Sequence, residues 1–233
     1  MMALARNLPK SLGRCIVTWH ERRRVTAVIV EDQAMFRGFL RKICEDGLGL
    51  VVVAEAAVAA EALAACQRHH PRILLLDLEL PDGNGLDVAP ELKRVSPETR
   101  ILAISAKVDD YTLFRVVDSG VDGYIDKVGS SVESLTVAIR TVLTRGAYFS
   151  PAVETALRKM ADDPKAFPKI LSPRELDVLR VIGSGCSDGQ AAERLGMTVL
   201  TAKTHRRNIM SKLGLHNSRE LMRYAAAVGF ARF

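Results

Sequence analysis

The chain has 233 residues, 48% of them hydrophobic, with a formal net charge of +6 at pH 7. That length suits one large or two modest domains, and that apolar fraction excludes a disordered chain. No apolar run approaches the ~18 residues that span a bilayer, and Arg and Lys interrupt the N-terminus before a secretory core forms.

Residues 1–24 are basic, net +5, and match no motif. They read as an extension in which Arg22, Arg23 and Arg24 are either a solvated tail or a DNA contact. From Val25 to Gly146 short apolar runs alternate with amphipathic stretches. VTAVIV (25–30), LVVVAEA (50–56), RILLLD (72–77), RILAIS (100–105) and DGYIDK (122–127) read as strands covered on both faces. Helices are expected near 34–45, 58–69, 85–95, 110–119 and 131–145. In the last, Val132, Leu135, Ala138, Ile139 and Val142 recur at helical spacing. Five βα repeats imply a parallel sheet with right-handed crossovers.

Residues 147–169 hold Pro151, Pro164 and Pro168 and read as a linker, with room for a short helix near 153–160. From residue 170 strand signals vanish. Helices fit 173–182, 188–195, 199–213 and 218–228, separated by Gly183, Gly185, Gly196 and Gly214. Residues 25–145 are net −5 and residues 166–233 net +6. Such a split suggests a cation as partner for the first block and nucleic acid for the second. The cysteines Cys15, Cys44, Cys66 and Cys186 have no metal-ligand spacing. Buried thiols in a reducing, cytoplasmic compartment are expected.

In an open α/β sheet, ligands gather outside the carboxyl ends of the strands. The first strand here ends in Glu31-Asp32, the third in Asp77, and the fourth and fifth in Ser105 and Lys127. If strands one and three are neighbours, three carboxylates converge, which is costly unless a cation neutralises them. Hard oxygen ligands suit Mg2+. Lys127 and Ser105 then suit a phosphoryl group carried on Asp77 as an aspartyl phosphate. Asp82 and Asn84 are better explained as turn or helix caps within PDGNG, and Glu31-Asp32 taken alone has the same bland explanation.

These residues make 25–146 resemble a response-regulator receiver domain, with DLELPDGNG (77–85) matching the pattern D-x-x-L-P-x-x-x-G. The resemblance implies a flavodoxin-like fold with a five-stranded parallel sheet in order 2-1-3-4-5. It makes Asp77 the phosphoacceptor, Glu31, Asp32, Asp77 and the Glu79 backbone carbonyl the Mg2+ ligands, and Ser105, Tyr124 and Lys127 the phosphoryl-binding and switch residues. Tyr124 also has an ordinary reading, a half-buried aromatic with a wet hydroxyl. Val128 stands where many receivers have proline, so no cis peptide is expected there. Glu79 and Lys107, two residues beyond Asp77 and Ser105, either pair across the site and hinder water or stand as separate solvated charges.

In the basic block, Ser172, Pro173 and Glu175 form a capping box, Ser187 caps the second helix and Thr198 the third. On the third helix Leu200, Ala202, Ile209 and Leu213 are expected to face the core. Lys203, Thr204 and Arg207 share an exposed stripe fit for a major groove, with Arg206 and Lys212 as phosphate partners. LSPRE, AERL, TAKTH and KLG make nearly all of 171–227, within a domain read as 170–233, similar to the LuxR-type helix-turn-helix family, with Ala202 and Gly189-Gln190 as departures. His205 matches the family histidine and is taken as structural. The last helix serves the family as a dimer face; plain core packing is the other reading of its apolar residues.

The expected protein is a two-domain DNA-binding response regulator, not an enzyme. A histidine kinase phosphorylates it, and it binds double-stranded promoter DNA as a homodimer. Two rivals are an unphosphorylated dimerisation module and an aspartyl-phosphate phosphohydrolase. The second lacks an Asp two residues after Asp77.

Overall fold

The computed structural model describes residues 25–230, so the expected basic extension lies outside the described residues. The N-terminal half alternates strands and helices: β1 (Thr26–Val30), α1 (Ala34–Lys42, running into a π-helical turn Ile43–Gly47), β2 (Val51–Ala56), α2 (Ala59–His69), β3 (Ile73–Asp77). A small hairpin, β4 (Glu79–Leu80) and β5 (Gly83–Asn84), precedes α3 (Gly85–Val95). Then come β6 (Arg100–Ser105), α4 (Asp110–Asp118), β7 (Gly123–Asp126), α5 (Val132–Arg145) and β8 (Tyr148–Phe149). The sheet order is β2-β1-β3-β6-β7-β8, parallel throughout.

Strand residues alternate between two buried faces, as the period of two requires. Ile29, Ile73, Leu75 and Ile104 pack with Leu40 of α1 and Ile139 of α5; Val28, Leu74, Leu76 and Ile101 pack with Ala62 of α2 and Leu92 of α3. The expected five-strand core and its order stand, and β8 adds a sixth strand. Two residues carry too little pattern to announce it; it forms because the Tyr148 N–H reaches the Asp122 carbonyl at 3.1 Å. Val132, expected on the buried stripe of α5, is 47% exposed, at the first position of the helix.

The segment 147–169 is not a bare linker. Beyond β8 it forms α6 (Pro151–Asp162) and the short α7 (Phe167–Ile170). Pro151 opens α6 at a position where its missing N–H costs nothing. Val153 of α6 is fully buried with Leu113, Val116 and Tyr124, while Phe167 of α7 enters the C-terminal core. The helix expected at 153–160 is therefore longer, and apolar burial on two sides consumes the spacer.

The C-terminal half is α8 (Pro173–Gly183), α9 (Asp188–Leu195), α10 (Val199–Leu213) and α11 (Ser218–Ala227) around Val178, Leu179, Ala191, Ile209 and Leu221. Reciprocal caps start α8 (Ser172 with Glu175) and α9 (Ser187 with Gln190). Gln190, a departure from the family pattern, thus supplies the same cap an acid would. The two halves meet where Tyr111 stacks on Phe230 at 4.1 Å, Phe114 meets Phe167 edge-on at 5.6 Å, and the Tyr111 N–H donates to the Val228 carbonyl at 2.9 Å. Among the described residues, no helix is long and apolar enough to cross a membrane.

Candidate metal centre and nucleic-acid interface

The parallel order sets the carboxyl ends of β1, β3, β6 and β7 side by side. Val30 is in register with Leu76, Asp77 with Ile104, and Ser105 with Asp126. One step beyond these ends stand Glu31 and Lys127. Glu31, Asp32 and Asp77 each present a carboxylate oxygen within 4.8 Å of the others. Glu31 and Asp77 are buried, at 0% and 2% exposure, while Asp32 opens to solvent. The Arg37 guanidinium donates to the Glu31 carbonyl at 2.6 Å and pins the turn that carries both acids.

Lys127 Nζ lies 2.8 Å from Glu31 Oε2 and 2.9 Å from Asp77 Oδ2, and sits 4.9 Å from the centre of the Phe36 ring. Burial alone would pull its ammonium down; the two carboxylates outweigh it and hold it above its ordinary range. Burial pushes the Glu31 carboxyl up, and the Asp77 charge adds to this against the opposing pull of Lys127. Glu31 Oε2, although beside the ammonium, accepts no well-directed hydrogen bond. Three acids thus face one lysine, and a buried oxygen has a lone pair left over. That donor set, hard oxygens with a charge deficit, fits a small divalent cation such as Mg2+.

The pocket's frame comes from the turn after β3. Gly85 opens α3 directly beneath β3; a Cβ there would lie 2.3 Å from the Asp77 carbonyl oxygen, so only glycine allows the approach. Asn84 caps α3 through the Leu86 N–H at 2.8 Å. Asp82 reaches across to α2, accepting from the Ala59 and Ala60 N–H groups at 2.8 and 3.0 Å. The Glu79 N–H donates to Asp77 Oδ1 at 3.1 Å.

Ser105 is fully buried and accepts from the Lys107 N–H at 3.1 Å. Tyr124 is fully buried too, with its hydroxyl donating to the Lys107 carbonyl; the half-buried aromatic with a wet hydroxyl is corrected. Burial is the main cause of its raised phenol pKa. Glu79 and Lys107 form an ion pair, so they are not separate solvated charges. Every peptide bond among the described residues is trans, that before Val128 included. Phe36 and Arg37 were not singled out in sequence, because an aromatic and a cation on an amphipathic helix carry no signal of their own.

On α10, Lys203, Thr204 and Arg207 are exposed, and Ala202 and Ile209 are buried. Leu200, expected to face the core, is 74% exposed: at the second position of the helix it projects past the neighbouring elements. Leu213 is only partly buried against the core. Arg206 is held 2.9 Å from Asp188 at the start of α9, and Lys212 lies 2.7 Å from the buried Glu175 of the α8 capping box. Burial opposes the Glu175 charge, but Lys212 and the Ser172 cap outweigh it and keep its carboxyl below the ordinary range. Arg206 and Lys212 therefore share their charge with carboxylates within the domain. His205 is half-buried, its Nδ1 without a partner. On α11, Leu221 and Ala225 are core and Met222 and Tyr224 partly covered, as is Val228 just past its end.

Residues 27–140 match the family described as response regulator receiver domain, and residues 169–225 match bacterial regulatory proteins, luxR family. The oxygen regulatory protein NreC of Staphylococcus haemolyticus is 35% identical over 207 residues, covering 85% of this chain and 95% of that protein. NreC of Staphylococcus aureus is 36% identical over 208 residues with the same coverage. A solved structure of RcsB from Salmonella enterica serovar Typhimurium, bound to promoter P1flhDC with the phosphomimetic BeF3-, aligns at 25% identity with a TM-score of 0.61. It covers 88% of this chain and 99% of that one. A LuxR-family two-component response regulator from Aurantimonas sp. SI85-9A1 aligns at 26% identity and a TM-score of 0.56 over 60% of this chain and 99% of its own. The chain belongs to the LuxR-family response regulators, with a receiver domain joined to a LuxR-type DNA-binding domain.

Proposed function

We propose that Asp77 is a phosphoacceptor, charged by a histidine kinase with Mg2+, and that its phosphorylation controls promoter binding by α10 in a cytoplasmic homodimer. The receiver spans 25–146 and the DNA-binding domain 170–233 in this reading. The observation that carries it is the convergence of Glu31, Asp32 and Asp77 on one pocket with Lys127 between two of them.

A carboxylate oxygen of Asp77 attacks the phosphorus of a phosphohistidine; the new O–P bond forms as the P–N bond breaks and the imidazole leaves. Lys127 Nζ, already 2.9 Å from Asp77 Oδ2, balances charge on the phosphoryl oxygens. Ser105, at the adjacent strand end, donates its hydroxyl to one of them. Its shift frees or pulls the Lys107 N–H and carries along the Tyr124 contact on the same loop. Glu31, Asp32, Asp77 and the Glu79 carbonyl would hold the cation. When bound, Mg2+ would supply positive charge that offsets the negative charge of the transferring phosphoryl group. The phosphohydrolase alternative loses its acid/base, because the residue two beyond Asp77 is Glu79, engaged by Lys107.

Full-length protein incubated with acetyl phosphate and Mg2+ is expected to gain one phosphoryl mass on Asp77. EDTA and Asp77→Asn should each abolish the gain, and promoter affinity should rise with it. Absence of the mass in wild-type protein would defeat the proposal and favour the unphosphorylated dimerisation module.

A further inference from the structure

The N-terminal turn of α10 carries a side chain that nothing within the domain uses. Leu200 is 74% exposed, although leucine there serves no packing, capping or hydrogen-bonding role. Scattered exposed leucines are common on protein surfaces, so its position must supply the meaning. Leu200, Lys203, Thr204 and Arg207 stand at i, i+3, i+4 and i+7, one stripe of the helix. Leu200 thus heads the row whose other members are an exposed lysine, threonine and arginine.

Thr204 sharpens the point. Its hydroxyl donates to the Leu200 carbonyl at 2.9 Å, so in this structure its O–H serves the helix and its methyl is the group left to the stripe. Leu200 and Thr204 therefore bring to the stripe an isobutyl group and a methyl, with Lys203 between them and Arg207 beyond. In a major groove one apolar feature marks a base, the thymine 5-methyl group, whereas guanine offers two acceptors to Arg or Lys. The first turn of a recognition helix is the part that reaches base edges.

We infer that Leu200, backed by Thr204, is a specificity-determining residue that reads a thymine methyl group in each half-site. The thymine lies within about two base steps of a guanine read by Lys203 and about three of one read by Arg207, because three and seven helical residues advance about 4.5 and 10.5 Å and a base step about 3.4 Å. This rests on α10 being the DNA-reading helix. Leu200 contributes nothing to phosphate attraction, so its effect falls on sequence choice and not on overall affinity for duplex DNA.

The test removes one methyl group at a time. A binding site is selected from a random duplex library with full-length wild-type protein. Each thymine is then replaced by deoxyuridine, and affinities are measured by fluorescence anisotropy for wild type, Leu200→Ala and Leu200→Ser. One thymine per half-site is expected to cost wild type about fourfold on conversion to deoxyuridine, the factor for one buried methyl-sized group. The same conversion should cost both variants clearly less than wild type, Leu200→Ser least of all, because only the Thr204 methyl remains there. Both variants should melt with wild type, since the side chain is unburied. Deoxyuridine losses equal in wild type and variants, or none anywhere, would overturn the role of Leu200 while leaving DNA reading by α10 intact. Variants unable to bind any duplex would overturn it too, since a methyl contact is not needed for phosphate binding. If selection enriches no sequence, DNA reading fails first and the Leu200 role falls with it.

Discussion

The pocket at the end of the sheet and the helical domain both bury carboxylates, and they treat them differently. Around Asp77 three acids face one lysine. In the helical domain Glu175 has Lys212, the Ser172 N–H and a reciprocal cap, and Asp188 has Arg206. A balanced acid holds a fold together. An acid left short of positive charge stores an affinity for something that brings it.

The largest effect should come from removing the one cation of the pocket. Lys127→Met leaves Glu31 and Asp77 buried without a counter-charge, and a loss of about 3 kcal/mol is expected at neutral pH. Denaturation followed by circular dichroism measures it, and added Mg2+ should return part of it. A loss below about 1 kcal/mol would mean that the pocket is not charge-starved. Lys212→Met is the matching change in the helical domain. Its side chain is 44% exposed and Glu175 keeps its backbone partners, so about 1–2 kcal/mol is expected in the same assay.

Asp122 gives a pH test of a balanced acid inside the receiver. Burial opposes its charge, but hydrogen bonds from Lys93, the Ile101 N–H and Arg100 outweigh this and keep its carboxyl below the ordinary range. A carboxyl depressed in the folded state adds stability above its unfolded pKa of about 3.9 and loses it as pH falls through the lower folded value. The advantage of wild type over Asp122→Asn should therefore be full near pH 6 and fade below about pH 4. A gap that does not shrink on acidification breaks this assignment. The smallest effect on stability is expected at the Glu79–Lys107 pair, about 0–1 kcal/mol, because both side chains are about two-fifths exposed. Its effect should appear in kinetics instead: Glu79→Ala and Lys107→Ala should each shorten the lifetime of the phosphorylated protein by admitting water. Equal decay rates in wild type and both variants would show that the pair shields nothing.

Much of this was legible in the residues. Runs such as ILLLD stop at a carboxylate, and polar ends on alternate strands of a parallel sheet have one place to meet. Capping residues Ser172, Ser187 and Thr198 act within four residues of themselves, so their roles follow from spacing alone. What escaped was set at a distance. The strand Tyr148–Phe149 exists because β7 offers its edge. The segment expected as a linker became α6 and α7 because Val153 and Phe167 found cores on two sides. Leu200 matched the apolar period of α10, yet at the helix start no neighbour covers its side chain.

The order of residues by itself determined the βα repeat, the helix starts and the set of polar strand ends, because period, capping and turn chemistry are local. Only the tertiary structure decided which charges are spent. Arg206 and Lys212 look like free cations in the sequence, and their carboxylate partners lie 18 and 37 positions away. Whether a charge is neutralised depends on what folding sets within a few ångströms of it, and neighbours along the chain do not report that.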